Sequence, residues 1–89
     1  IQENADPDMP DDLERFFHRL VPDGDPLFAR TCEGADDMSA HIRTALTTVN
    51  LSLPLRDGRP TLGTWQGIYL WEHRHAARTR RVTLYLIGE

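Results

Sequence analysis

Two acids and a histidine stand close together near the middle of the chain: Asp36, Asp37 and His41. If a helix already includes Asp37, the four-residue spacing places Asp37 and His41 on one side of it. A carboxylate beside an imidazole raises its basicity and fixes its tautomer, as a general base or a metal ligand requires. The same spacing is also typical of a helix start capped by Asp37 or Ser39, with His41 at the edge of the buried face. We therefore take Asp37 and His41 as candidate catalytic residues, and both with Asp36 as candidate metal ligands.

The segment Gly63-Thr64-Trp65-Gln66-Gly67 is a second candidate for chemistry. Glycines around a bulky aromatic residue and an amide let the backbone approach a ligand or another strand. Trp65 can wall a pocket for a flat ring while Gln66 binds the ring's edge. The alternative is a core tryptophan with a bulge at a subunit interface. The pattern predicts Trp65 and Gln66 as substrate-binding residues and leaves that alternative open.

The third group of polar residues begins at Glu72, which we take as a candidate catalytic residue beside Asp37 and His41. Glu72 ends a predicted strand on the Gln66 face, so it is expected to point partly inward, where a carboxylate needs a partner or a raised pKa. His73 and His75 share a face of an extended chain, as in a metal clamp or in a solvated loop. Arginine side chains can bind phosphate with two hydrogen bonds. The arginines that follow are Arg74, Arg78, Arg80 and Arg81. Of these we take Arg81 as the candidate for substrate binding.

Two amphipathic helices are predicted to position these groups. The first begins at the turn-like stretch Asp6-Pro7-Asp8 and ends before Pro22. The second begins near Asp37 or Ser39 and ends before Asn50. Their apolar spacing follows the helical period. The expected core stripes are Leu13, Phe16, Phe17 and Leu20 in the first helix, and Met38, Ile42, Ala45 and Leu46 in the second.

Alternating apolar residues in the second half predict strands. They cover 50–55, 62–72 and 81–87, and Asp57-Gly58 is a hairpin turn between the first two. Trp65, Tyr69 and Trp71 fall on one face of the middle strand, where they can form a subunit interface. Helices followed by a strand meander indicate an α+β fold with an antiparallel sheet.

Composition excludes several classes of protein. The 89 residues allow one small domain, and 39% of them are hydrophobic, as in globular proteins. The net charge is −4, from −7 over 1–45 and +3 over 46–89, which argues against nucleic-acid binding. No apolar run is long enough to span a membrane. A single cysteine, Cys32, excludes an intramolecular disulfide framework, and with no export signal seen we expect a cytoplasmic location.

The motifs together resemble the YjbQ family, whose members are described as secondary thiamine-phosphate synthase-like. Those that carry the resemblance are ENADPD, EGADDM, LPLRDGR, GTWQGIYL, EHR and RRV, in the family's order. The resemblance implies a β-sandwich core, assembly as a homotrimer, and N-terminal strands that are missing from this chain, so that 1–89 forms a partial domain. An upstream histidine of the family's cleft is also absent. Matched residue by residue, the family's polar cleft falls on Asn4, Asp6, Glu33, Asp37, His41, Gln66 and Glu72.

The resemblance further implies an activity. A hydroxymethylpyrimidine pyrophosphate would condense with a thiazole phosphate, as a side activity of a small-molecule enzyme. A divalent metal, Mg²⁺ or Zn²⁺, would serve the pyrophosphate, with Asp36, Asp37 and Glu72 near the cation. Asn4, Trp65, Gln66 and Arg81 would contact the small phosphorylated substrate. The alternative is a metal- or ligand-binding homotrimer without turnover.

Overall fold

Two helices form most of the regular structure. The computed structural model describes residues 1–3 and 8–88, in which α1 spans Asp8–Leu20 and α2 spans Asp37–Leu46. Acids in the first turn of α1 and basic residues in its last turn complement the helix dipole. α1 ends just before Pro22, which cannot continue it. Both helices lie where the apolar spacing predicts them.

Four two-residue strands form two antiparallel pairs. The strands are β1 (Gln2–Glu3), β2 (Leu55–Arg56), β3 (Arg59–Pro60) and β4 (Gln66–Gly67). β2 and β3 form a hairpin, and β1 pairs with β4. The hairpin turn has φ angles of 53° at Asp57 and 74° at Gly58, both in the left-handed region that a two-residue turn requires. The Asp-Gly turn predicted from the sequence is therefore confirmed.

The predicted long strands are wrong in their extent. Of the first predicted strand only Leu55 lies in a strand, of the second only Gln66–Gly67 do, and 81–87 forms none in the part of the chain described here. Leu84 and Ile87, which alternation assigns to a strand, are 85% and 83% exposed. Alternation marks a segment that can join a sheet, but a ladder also needs a neighbouring strand to accept its hydrogen bonds. Within the described residues these segments have no such neighbour.

The buried face of α2 differs from the predicted apolar stripe. Ser39 and Ala40 are buried, and so are the charged side chains of Asp37 and Arg43. Leu46 of the predicted stripe is 57% exposed. The predicted stripe of α1 is likewise only partly buried, since Phe16 and Leu20 are exposed. The polar face of α2 turns inward because its charged groups find partners there, and this face supplies the candidate site.

The chain is α+β, as its sequence predicts, with helices and antiparallel strand pairs. Val21 and Ala40 are its buried apolar residues within the described ranges, so the core is small. It lies where the end of α1 meets the first turns of α2. Among the described residues no helix is long and apolar enough to cross a membrane. Cys32 is exposed and unbridged.

Candidate functional site

Arg74 joins the start of α2 to the segment that follows Trp71. Its Nε donates to Asp36 Oδ2 at 3.0 Å and its Nη1 donates to Asp37 Oδ1 at 3.1 Å. Its Nη2 donates to the backbone oxygen of Glu33 at 3.0 Å. One guanidinium thus binds two adjacent carboxylates and the turn before them, in the planar geometry that suits arginine. This contact brings the two candidate acids together with the basic segment.

Asp37 also contacts the histidine predicted from the sequence. Asp37 Oδ1 lies 3.5 Å from His41 Nε2, one helical turn away. Its other oxygen lies 3.2 Å from Arg30 Nε, an ion pair without hydrogen-bond alignment. The Asp37 side chain is 9% exposed, whereas that of His41 is 55% exposed. A buried carboxylate therefore lies beside an imidazole that solvent and a ligand can reach, at ion-pair distance and without a hydrogen bond to it. We call Arg30, Asp36, Asp37, His41 and Arg74 the Arg74 cluster.

Asp36 is the N-cap residue of α2, but its side chain makes no capping hydrogen bond. Its Oδ2 instead accepts from Arg74 and from the backbone N–H of His75 at 2.9 Å. The hydrogen bond from Arg74, followed by that from His75, lowers the pKa of Asp36 to about 2. Ser39 does not cap the helix either, because its hydroxyl donates to the Pro22 carbonyl at 2.8 Å. The alternative in which Asp37 or Ser39 caps the helix is therefore wrong. Asp37 lies inside the first turn and binds Arg74, and Ser39 binds Pro22.

Glu72 forms a second ion pair beside the Arg74 cluster. Its carboxylate accepts from Arg80 Nη2 at 2.7 Å and from Arg80 Nε, and from the backbone N–H of Arg74 at 2.9 Å. The bond from Arg80, followed by that from Arg74, lowers the pKa of Glu72 to about 2. Glu72 is thus a paired, ionised carboxylate without the raised pKa that a general acid needs. Its predicted catalytic role stays a prediction.

A buried arginine holds the surroundings of the cluster in place. Arg43, on α2, donates to the Val21 carbonyl at 2.8 Å and to Asp23 Oδ1 at 3.1 Å. Asp23 Oδ2 also bonds His75 Nε2. Burial raises the pKa of Asp23, but the bond to His75 and the charge of Arg43 outweigh it, and the net pKa is lowered. Arg43 and Asp23 thereby fix the segment that carries Arg74.

His73 packs between this framework and the aromatic residues. Its ring lies 5.0 Å from that of Trp71, and its Nε2 lies 3.3 Å from the Thr47 hydroxyl. Burial, followed by the charge of Arg43, lowers the pKa of His73. His75 bonds Asp23, as noted, and stacks on His18 at 5.9 Å. The two histidines have different partners, so they do not form the clamp considered from their spacing.

The other predicted site residues lie apart from these contacts. Trp65 is 64% exposed, and the side chain of Gln66 accepts a hydrogen bond from the backbone of Gly63 at 2.7 Å. Arg81 is exposed. Asn4, like Asp6, lies outside the described residues. The predicted substrate contacts of Asn4, Trp65, Gln66 and Arg81 therefore stay predictions.

The predicted metal ligands do not fit a metal in this arrangement. Both carboxylates of the Asp36–Asp37 pair bind the guanidinium of Arg74, and Asp37 faces Arg30 as well. Within residues 1–3 and 8–88 no group of three or more His, Cys, Asp and Glu side chains is placed to hold a metal ion. Arginine guanidinium groups supply the positive charge at these carboxylates.

Sequence reasoning identified the acids and His41 but missed the pairing of Arg30 and Arg74 with them. The arginine of the EHR motif was grouped with a basic, phosphate-binding loop, whereas it lies 17% exposed between carboxylates. Arg74 is 37 and 38 residues away from its two partners. The charge difference between the two halves of the sequence could have indicated the contact of Arg74. Acids are in excess before residue 46 and arginines after it, and such segments attract each other.

An exposed histidine and two arginine side chains around one buried carboxylate, on an α+β scaffold, define a small polar cluster. The chain belongs to the UPF0047 protein YjbQ-like family, whose model matches residues 1–89. The family resemblance seen in the motifs is thereby confirmed.

The chain is similar to named proteins of bacteria and archaea along its whole length. It is 51% identical to UPF0047 protein sll1880 of Synechocystis sp. and 46% identical to UPF0047 protein YjbQ of Salmonella typhimurium, covering 60% and 64% of those proteins. It is 36% identical to UPF0047 protein MJ1081 of Methanocaldococcus jannaschii and covers 61% of it. In each case the match takes in all of this chain, which is therefore less than two thirds as long as these relatives. No solved structure matches the chain.

Proposed function

We propose that this chain carries part of the active site of an enzyme that transfers a group between small phosphorylated molecules. The observation behind the proposal is the sharing of Asp37 between His41, at 3.5 Å, and two guanidinium groups. A carboxylate next to an exposed imidazole favours its protonated form and supports general acid–base chemistry. Arg30, which is 53% exposed, can bind a phosphate beside that imidazole.

The specific reaction proposed is the formation of thiamine phosphate, as a side activity. The thiazole nitrogen attacks the methylene carbon of the hydroxymethylpyrimidine pyrophosphate, a carbon–nitrogen bond forms, the carbon–oxygen bond breaks and pyrophosphate leaves. His41 in its protonated form would donate a proton to the departing pyrophosphate. Arg30 would stabilise its negative charge, as preorganised cations do in phosphate chemistry. Trp65 and Gln66 are proposed to bind the pyrimidine ring, and Asn4 and Arg81 to contact the substrate phosphates.

A paired substitution tests this proposal. In the natural full-length protein, His41→Gln is expected to lower the rate of thiamine phosphate formation by about 100-fold or more, because general acid–base groups contribute roughly that much. His18→Gln is the control for the loss of an imidazole outside the Arg74 cluster; because His18 contacts Arg43 and His75, its fold is checked by circular dichroism beside that of His41→Gln. Product is measured by chromatography and pyrophosphate release by a coupled assay. Equal rates for His41→Gln and the unaltered protein would exclude His41 from the reaction. Binding of both substrates without product would favour the ligand-binding alternative.

We propose further that the protein functions as a homotrimer with a β-sandwich core and resides in the cytoplasm. Exposed apolar side chains in the predicted final strand support burial against another chain or segment. These side chains, all more than 60% exposed, are Val82, Leu84, Tyr85, Leu86 and Ile87. Sedimentation equilibrium of the full-length protein is expected to give three times the protomer mass, and a monomer would contradict the trimer.

A further inference from the structure

An apolar cavity of about 200 Å³ lies between β1, α1 and the segment 69–71. It opens to solvent on one side, and its described lining includes Met9 and Leu13 from α1 and Tyr69 and Trp71 from the opposite wall. A dry cavity of roughly 150 Å³ is enough to hold a benzene ring. The volume therefore accommodates one six-membered ring with a few additional atoms.

The aromatic wall of this cavity is held by packing from behind. Trp71 meets the ring of Phe17 edge to face at 5.0 Å, and on another side it lies 5.0 Å from the ring of His73. Tyr69 lies against Gly67, where a methyl group on the glycine would come within 2.9 Å of the tyrosine oxygen. Trp71 is thus positioned before any ligand enters, which lowers the entropy cost of binding, and Tyr69, 49% exposed, can adjust its ring to the ligand.

The charge at the cavity has one sign. Glu14, on α1, contributes the charged side chain of the described lining, and no arginine of the described chain lines it. The carboxylate of Glu14, whose side chain is 57% exposed, lies 3.9 Å from His18 Nε2, an ion pair too long for a hydrogen bond. Glu14 also borders the neighbouring pocket that Arg43 and His73 line, so its charge acts on both. Aromatic faces attract cations, and a carboxylate adds to that attraction.

We propose that this cavity binds a small organic cation in which a charged nitrogen is attached to a single ring or a short apolar chain. The apolar body would fill the space between Leu13 and Trp71. The nitrogen would lie at the opening, between the aromatic wall and Glu14. An anionic ligand of the same shape is excluded by the carboxylate. The proposal concerns a binding site distinct from the Arg74 cluster and does not depend on the proposed reaction.

The test uses benzyltrimethylammonium as the probe and benzyl alcohol as its neutral counterpart. Binding is followed in the full-length protein by the indole N–H signals in ¹⁵N–¹H spectra. Trp71 lines the cavity and Trp65 does not, so saturable shifts are expected for Trp71 alone. The cation is expected to bind about two- to five-fold more tightly than the alcohol, the range for an exposed cation–π contact.

Two substitutions that each remove one negative charge distinguish binding at the cavity from general attraction of a cation to an acidic surface. Glu14→Gln removes the carboxylate at the cavity and is expected to lower the preference for the cation over the alcohol, leaving the part that the aromatic wall supplies. Asp11→Asn removes a charge from α1 outside the described lining and is expected to leave the preference unchanged. Met9→Trp, which fills the cavity, is expected to block both probes. Equal affinity for the two probes, equal effects of Glu14→Gln and Asp11→Asn, or no saturable shift of Trp71 would each overturn the proposal.

Discussion

Replacing Arg43 by methionine removes the cation at which several segments meet. Its guanidinium donates at 2.8 Å to the carbonyl of Val21 and at 3.1 Å to the carboxylate of Asp23. It also donates to the His73 carbonyl at 3.4 Å, and its Nη2 lies 3.3 Å from His18 Nδ1. Methionine keeps much of the apolar stem but none of these hydrogen bonds. The substitution therefore isolates the contribution of the charged group.

The expected loss follows from burial. The Arg43 side chain is 4% exposed and that of Asp23 is 25% exposed. Removing one partner of a buried ion pair costs roughly 3–5 kcal/mol, because the other charge is left unpaired. Water and His75 still reach the Asp23 carboxylate, which reduces this cost. We therefore expect the free energy of unfolding to fall by about 3 kcal/mol, out of roughly 5–13 kcal/mol for a chain of this length.

Urea unfolding followed by far-ultraviolet circular dichroism measures this loss. With an m-value of roughly 1–1.5 kcal/mol per molar urea, the midpoint should fall by about 2–3 M. The control is Arg19→Met, because Arg19 is exposed and contacts only the edge of the fold through Phe16, with its guanidinium carbon 5.7 Å from the ring centre. We expect the control to lose about 0.5 kcal/mol. A loss below about 1 kcal/mol for Arg43→Met, or one equal to the control, would refute the role assigned to burial.

Three further outcomes are expected. Burial lowers the pKa of His73 below its ordinary value of 6.5. The free energy of unfolding is therefore highest above pH 6.5 and falls as the pH drops from there through the pKa of His73 in the folded protein. His73→Gln should flatten this part of a plot of the urea midpoint against pH. Arg80→Gln should move the NMR titration midpoint of Glu72 from about 2 toward its ordinary value of 4.5, and an unchanged midpoint would exclude their pairing. Gly67→Ala places a methyl 2.9–3.1 Å from the far end of the Tyr69 side chain, which is 49% exposed and can turn away, so it should cost less than about 1 kcal/mol in urea unfolding; a loss of about 3 kcal/mol would mean that the ring is held in place.

Local features were predictable because their causes lie within a few residues. The helical period and Pro22 predict α1, and the Asp57-Gly58 pair predicts the turn between β2 and β3. The pairing of Asp37 with His41 follows from four-residue spacing once α2 begins at Asp37. The extents of the long strands were not predictable in this way, because alternation contains no information about which segment will accept the hydrogen bonds.

The fold class, both helices, the hairpin turn, the family and the proximity of Asp37 to His41 all follow from residue types and their spacing. The cations that neutralise the acids and the buried face of α2 depend on contacts between distant segments. Arg74 reaches Asp36 across 38 residues, and Arg43 enters the interior because Val21 and Asp23 accept its hydrogen bonds. Such contacts depend on desolvation and on the geometry of distant partners, which spacing along the chain does not specify.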